Sequence, residues 1–254
     1  MTSIADVLEG RARWCVELAE FGDVLPTIPD AAIAHVITDP PYSKHVHTAS
    51  RSSSLPDAHT FPSRAIRQTE FGFDYLTPTV RRSFARHAAR LSRGWVVAFS
   101  DFESVHWLRL SLAAAGLRHW RIGLWDRLES GAPQFNGCGP ANWGEAIELA
   151  HSSAALKWNG GGSRAVWRHP TQKPISLMCE LVEDFTDEDD IVLDPFAGAG
   201  TTGLACLRLG RRFIGIERSP KWHELAVARL SAEDDGSTVQ AARAGQRSLF
   251  GGGQ

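Results

Sequence analysis

Two short segments of this 254-residue chain carry residue types suited to chemistry. Near the start, Asp39-Pro40-Pro41-Tyr42 follows Thr38 and the apolar run Ala34-His35-Val36-Ile37. A carboxylate and a proline carbonyl on a stiff turn are two hydrogen-bond acceptors aimed at one point, able to polarise an amine donor placed there. Tyr42 adds a face on which a planar ring stacks. Near the end, Asp194-Pro195-Phe196-Ala197-Gly198-Ala199-Gly200-Thr201-Thr202-Gly203 follows Ile191-Val192-Leu193 and runs into Leu204-Ala205-Cys206-Leu207. The glycines at 198, 200 and 203 admit a ligand close to the backbone, and helix amides beginning at Thr201 and Thr202 can hold a carboxylate. Phe213-Ile214-Gly215-Ile216-Glu217 then places an acid at the end of the following strand, the position from which a carboxylate grips both hydroxyls of a ribose. The turn has no Gly-Lys-Ser/Thr and opens Asp-Pro-Phe, so it is neither a phosphate loop nor a dinucleotide fingerprint.

Periodicity supplies the elements that must position these residues. Strands are expected near 34–38, 95–99, 121–125, 145–150, 191–194 and 212–216, and helices near 77–92, 103–115, 174–186, 201–209 and 220–231. Pro174 marks one helix start, and Ser219 with Pro220 marks another. Alternating strands and helices imply an α/β fold with a doubly wound, Rossmann-like, mostly parallel sheet. Both chemical segments then fall where a strand ends, which is where such sheets bind ligands. Two stretches resist the pattern: 43–70, rich in Ser, His, Thr and Arg, and 127–143, rich in Gly and Pro. Long irregular loops in a compact domain are usually functional or disordered.

With 43% hydrophobic residues the chain can bury one sizeable core, and a single domain over 1–233 with a polar, Gly-rich flexible tail over 234–254 is expected. Cys15, Cys138, Cys179 and Cys206 show no C-x-x-C spacing, which argues against a zinc module and suits isolated thiols in a reducing cytoplasm. No apolar stretch approaches the roughly 20 residues of a membrane span, so a soluble cytoplasmic protein is expected. Net charge is -2, but residues 43–93 hold nine bases, from Lys44 to Arg93, against Asp57, Glu70 and Asp74. That stretch suits a phosphate backbone, and it equally suits a helix whose solvated face carries Arg82, Arg86, Arg90 and Arg93 while Val80, Phe84 and Leu91 face the core.

The two segments, in this order, resemble the S-adenosylmethionine-dependent amino methyltransferases of DNA. Their arrangement is similar to the circularly permuted beta class, in which the catalytic segment precedes the cofactor turn. His169-Pro170-Thr171-Gln172-Lys173-Pro174 and Gly22-Asp23 match further family elements, and the similarity covers most of residues 14–230. The resemblance implies a class I methyltransferase fold, S-adenosylmethionine as cofactor and DNA as substrate, with recognition loops within 43–70 and 127–168. Asp39, Pro40, Pro41 and Tyr42 would be catalytic. Asp23, Thr38, Asp39, Lys173, Asp194, Phe196, Ala197, Gly198, Gly200, Thr201, Thr202 and Glu217 would surround the cofactor, with Asp194 on its amino group and Asp23 on its adenine. Asp23 reads nearly as well as a loop acid opening a turn.

An exocyclic base amine is a poor nucleophile because its lone pair is delocalised into the ring. Acceptors at Asp39 and Pro40 would correct that on a base extruded from the duplex. The aspartate at 39 leans toward adenine N6, with cytosine N4 as the alternative. RNA or protein amide methylation and a catalytically idle DNA-binding relative are the remaining alternatives. Many members of the family form homodimers. In the tail, Gln246-Arg247-Ser248-Leu249-Phe250 resembles peptides that dock on bacterial sliding clamps. No metal is expected.

Overall fold

In the computed structural model, which describes residues 2–41, 76–126, 144–152, 158–161, 165–169 and 175–236, the strands join in one sheet. They are β1 (Trp14–Leu18), β2 (His35–Thr38), β3 (Trp95–Ser100), β4 (Arg118–Asp126), β5 (Gly144–His151), β6 (Val166–Arg168), β7 (Ile191–Asp194) and β8 (Arg212–Glu217). Their spatial order is β1-β8-β7-β2-β3-β5-β4-β6. Pairings are parallel except those of β5, which runs antiparallel to both β3 and β4. The mostly parallel, doubly wound sheet expected from the sequence is therefore present.

Strand residues alternate between two apolar layers, as a sheet buried on both faces requires. Val36, Val96, Ala98, Leu193 and Ile214 face the layer built by α1 (Ile4–Leu8), α2 (Phe21–Val24), α3 (Pro78–Leu91) and α4 (Val105–Ala114). Ile37, Val97, Phe99, Val192 and Phe213 face α5 (Ile175–Phe185), α6 (Thr201–Arg208) and α7 (Pro220–Asp234). Helix spacing matches: α5 buries Leu177, Met178, Leu181, Val182 and Phe185, one stripe of a 3.6-residue period. The α3 helix starts where Thr77 accepts the Val80 amide and Pro78 occupies the first turn.

The sequence reading omitted α1, β1, α2 and β6. All four are short, and the two strands are held by partners far away in the chain; β1, for example, is held by β8 from Trp14↔Phe213 to Leu18↔Glu217. A Ser3–Asp6 capping box did mark α1. The basic run divides: Phe84 and Leu91 are in the core, Arg82 and Arg86 are exposed, and Arg90 is spent on Asp30 and the carbonyls of Leu25 and Ile28. Cys15 and Cys206 are fully buried, which pushes both thiols up, and Cys179 is half-buried. Among the described residues no helix is long and apolar enough to cross a membrane. Cys138, the clamp-like peptide, and most of the loops expected to read DNA lie outside the described residues.

Candidate active site

The chain leaves β2 toward β3 on one flank and leaves β7 toward β8 on the other, although β2 and β7 are neighbours in the sheet. Their carboxyl ends therefore flank the crevice where the sheet changes direction. Asp39, Pro40 and Pro41 follow β2, and the glycine turn follows β7, so the two segments, more than 150 residues apart in sequence, meet at this point. Backbone pairing between the two strands reaches only His35↔Val192 and Val36↔Leu193. Beyond it, the Thr38 hydroxyl donates to Asp194 Oδ1 at 2.6 Å.

Asp194 is only 2% exposed. Its Oδ1 also accepts the Phe196 amide at 3.1 Å, and its Oδ2 accepts the Thr202 hydroxyl at 2.7 Å. Burial pushes this carboxyl up to about 6, against the pull of those donors, with Asp39 adding a like charge. The sequence reading aimed Asp194 at a ligand's amino group; in the structure its oxygens join Thr38, the turn and α6. Thr38 and Thr202, both buried, likewise point into this network.

The turn is shaped by left-handed backbone at Gly198 (φ 52) and Gly200 (φ 74), the latter being the N-cap of α6. Glycine supplies no capping oxygen, and no N-cap side chain bonds the first-turn amides of α6. Those amides are available to an anion. Glu217, 5% exposed at the end of β8, accepts the Gly198 amide on Oε2 at 2.8 Å and the Ser219 amide on Oε1 at 2.7 Å. A carboxylate has about four acceptor positions, so each oxygen keeps capacity for a hydroxyl. Ala197 is buried and its amide bonds the Ile216 carbonyl at 3.0 Å, holding the turn beside β8.

Phe196 is half-buried between Phe21, with ring centroids 5.0 Å apart, and Phe84, at 5.8 Å. The Phe21 contact docks α2 on the turn and brings Asp23, exposed in that helix, to the same end of the sheet as Glu217. Tyr42 and Lys173 lie outside the described residues. His169, flanking the segment of Lys173, is anchored: its Nδ1 meets the Ser176 hydroxyl at 3.1 Å and its carbonyl accepts Trp125 Nε1 at 3.3 Å, while its Nε2 lies 3.2 Å from Glu180 without hydrogen-bond geometry.

Two features were missed in the sequence. Arg229 of α7 donates to the Ala199 carbonyl at 2.6 Å and to the Thr201 hydroxyl at 3.2 Å, clamping the turn from outside. An arginine within a polar helix has no sequence mark that separates it from a solvated one. Asp101 and Glu145, at the ends of β3 and β5 nearest the Asp39 segment, are buried acids that read in sequence only as strand boundaries. A cleft of about 260 Å³ opens at the opposite end of the strands, beside His35, Trp95 and Asp190, and takes no part in this constellation. Among the described residues no group of acids, His or Cys could hold a metal ion.

Residues 119–228 match the N6/N4 methylase family, described as DNA methylase. The putative methylase YubD of Escherichia coli (strain K12) is 47% identical over 77 residues, 30% of this chain and 33% of its own. Type II methyltransferase M2.DpnII of Streptococcus pneumoniae is 45% identical over 82 residues, 31% of each chain. The matched stretch thus spans about a third of these relatives' length. The fold is shared more widely. The M1.HpyAVI–SAM complex superposes with a TM-score of 0.63 at 24% identity, over 85% of this chain and all of the other. TTHA0409 of Thermus thermophilus, complexed with S-adenosyl-L-methionine, gives 0.65 at 21%, over 87% and 94%. The cytosine-N4-specific PvuII DNA methyltransferase gives 0.65 at 15%, over 91% and 90%. This chain thus has the class I methyltransferase fold, and its residues 119–228 carry a segment similar to the DNA methylase family.

Proposed function

We propose that this protein transfers a methyl group from S-adenosylmethionine to the exocyclic N6 of adenine in DNA. The observation that carries the reading is the meeting of the Asp39 segment and the glycine turn across one crevice, bridged by Thr38 and Asp194.

The residues present fit the cofactor. Glu217 retains acceptor capacity for the ribose hydroxyls, and the uncapped first turn of α6 offers amides to the methionine carboxylate. In this reading Phe196, Ala197 and Gly198 would lie along the cofactor, and Asp23, on the helix docked through Phe21, would meet its adenine. When bound, the cofactor supplies a methyl group on a cationic sulfur, and the acids at 39, 194 and 217 favour that charge.

The chain's own groups act on the base. The Asp39 carboxylate and the Pro40 carbonyl accept hydrogen bonds from the target amine, drawing its nitrogen toward tetrahedral geometry and stabilising the positive charge it gains. Pro40 and Pro41 keep those acceptors aimed, and Tyr42 stacks on the extruded ring. The aspartate at position 39 supports adenine as the base.

The test is transfer from labelled S-adenosylmethionine to DNA, followed by nucleoside digestion and mass analysis. N6-methyladenine is the expected product. N4-methylcytosine would keep the mechanism and change the base, and the absence of any methylated nucleoside would overturn the reading.

A further inference from the structure

We propose that Thr38 and Thr202 are positioning residues for methyl transfer, acting through Asp194 to set the catalytic segment in register with the cofactor turn; this rests on the methyltransferase reading above. Thr38 immediately precedes Asp39, and Asp194 opens the turn. Backbone pairing between β2 and β7 ends at Val36↔Leu193, so at the level of Thr38 a side-chain bridge takes over from the ladder. The bridge continues from Asp194 to Thr202 in the first turn of α6, whose amides face the cofactor's carboxylate in this reading. One carboxylate thereby fixes three parts relative to one another: the strand carrying the acceptors, the turn, and the helix behind it.

The chemistry of the link argues for geometry rather than filling. Two hydroxyl donors and the Phe196 amide converge on a group that only accepts. Thr38 is fully buried and Thr202 is 5% exposed. An apolar side chain would fill this space without the desolvation cost of a carboxylate, but it could not hold three donors in fixed directions. The cofactor's other contacts, Glu217 and the α6 amides, do not pass through Thr38. Loss of the Thr38 arm of the bridge should therefore leave cofactor affinity largely intact and misalign the Asp39 acceptors with the transferring methyl, where a displacement of about 1 Å costs on the order of a hundredfold in rate.

The experiment compares full-length wild type, Thr38→Val, Thr38→Ser and Thr202→Val. Each is read by thermal unfolding, by calorimetric S-adenosylmethionine binding, and by single-turnover transfer to DNA at saturating cofactor. Thr38→Val should lose at least about tenfold in rate with cofactor Kd within about threefold, and Thr38→Ser, which restores the hydroxyl, should recover most of the rate. Thr202→Val breaks the same bridge from the other side, in the helix whose amides face the cofactor, so it is read by its rate at saturating cofactor alone; it carries the test should Thr38→Val fail to fold. A folded valine variant with native rate, or one whose loss lies wholly in cofactor Kd, overturns the proposal. A wild type that neither binds cofactor nor transfers a methyl group instead overturns the underlying reading of function.

Discussion

The Glu217 carboxylate accepts the Gly198 amide at 2.8 Å, tying the end of β8 to the left-handed corner of the turn that follows β7. One side chain thus shapes the turn and presents its remaining acceptor capacity to the crevice. Glu217→Ala strips the acceptor from both the Gly198 and Ser219 amides, at about 1–3 kcal/mol for each one left unpaired. The expected outcome is a lower unfolding midpoint together with S-adenosylmethionine binding weakened at least about tenfold, measured by calorimetry.

Asp39 should behave oppositely. In the proposed mechanism its substitution by alanine removes an acceptor needed only while charge develops on the target nitrogen, so the single-turnover rate should fall by about a hundredfold or more. Cofactor affinity should stay within a few-fold of wild type. Near-native turnover by Asp39→Ala would contradict the assignment of the catalytic segment.

Asp194 gives stability a particular pH dependence. Burial raises its carboxyl from 3.8 in the unfolded chain to about 6 in the folded one, so the folded state holds the extra proton between those values. Stability from this group is greatest below the unfolded value and declines as pH rises to about 6, by roughly 2–3 kcal/mol in all. Asp194→Asn has no proton to lose and should flatten that part of the profile. Urea unfolding of both proteins from pH 4.5 to pH 8 measures the difference; parallel profiles would refute it. Glu148, also raised by burial, is unchanged between the two proteins and cancels.

Arg229 holds the turn from the outside. Arg229→Met keeps the length of the side chain but removes the donors to the Ala199 carbonyl and Thr201 hydroxyl. Loss of these partly buried, charge-assisted bonds should cost about 1–3 kcal/mol and loosen the turn, weakening cofactor binding several-fold. Denaturant titration and calorimetry on the same sample read both effects.

Sequence alone determined the parts whose causes are local. The glycine turn, Glu217 at the end of its strand, the Asp39 segment and the long amphipathic helices each announce themselves within a few residues, because turn stereochemistry and burial periodicity act over that range. The order of the two segments and the alternation of strands with helices also pointed to a parallel doubly wound sheet. What tertiary structure decided depends on contacts between distant positions. Strand β1 is a strand because β8 pairs with it, and β5 is reversed between β3 and β4 by a register no local pattern encodes. Asp194 and Thr38 each read as ligand contacts in isolation; only the adjacency of β2 and β7 reveals that they bond to each other. Arg229 reaches the turn only because α7 packs beneath it. The physical reason is common to these cases: a hydrogen bond between distant residues is chosen by which elements become neighbours, and that choice belongs to the packing of the whole core.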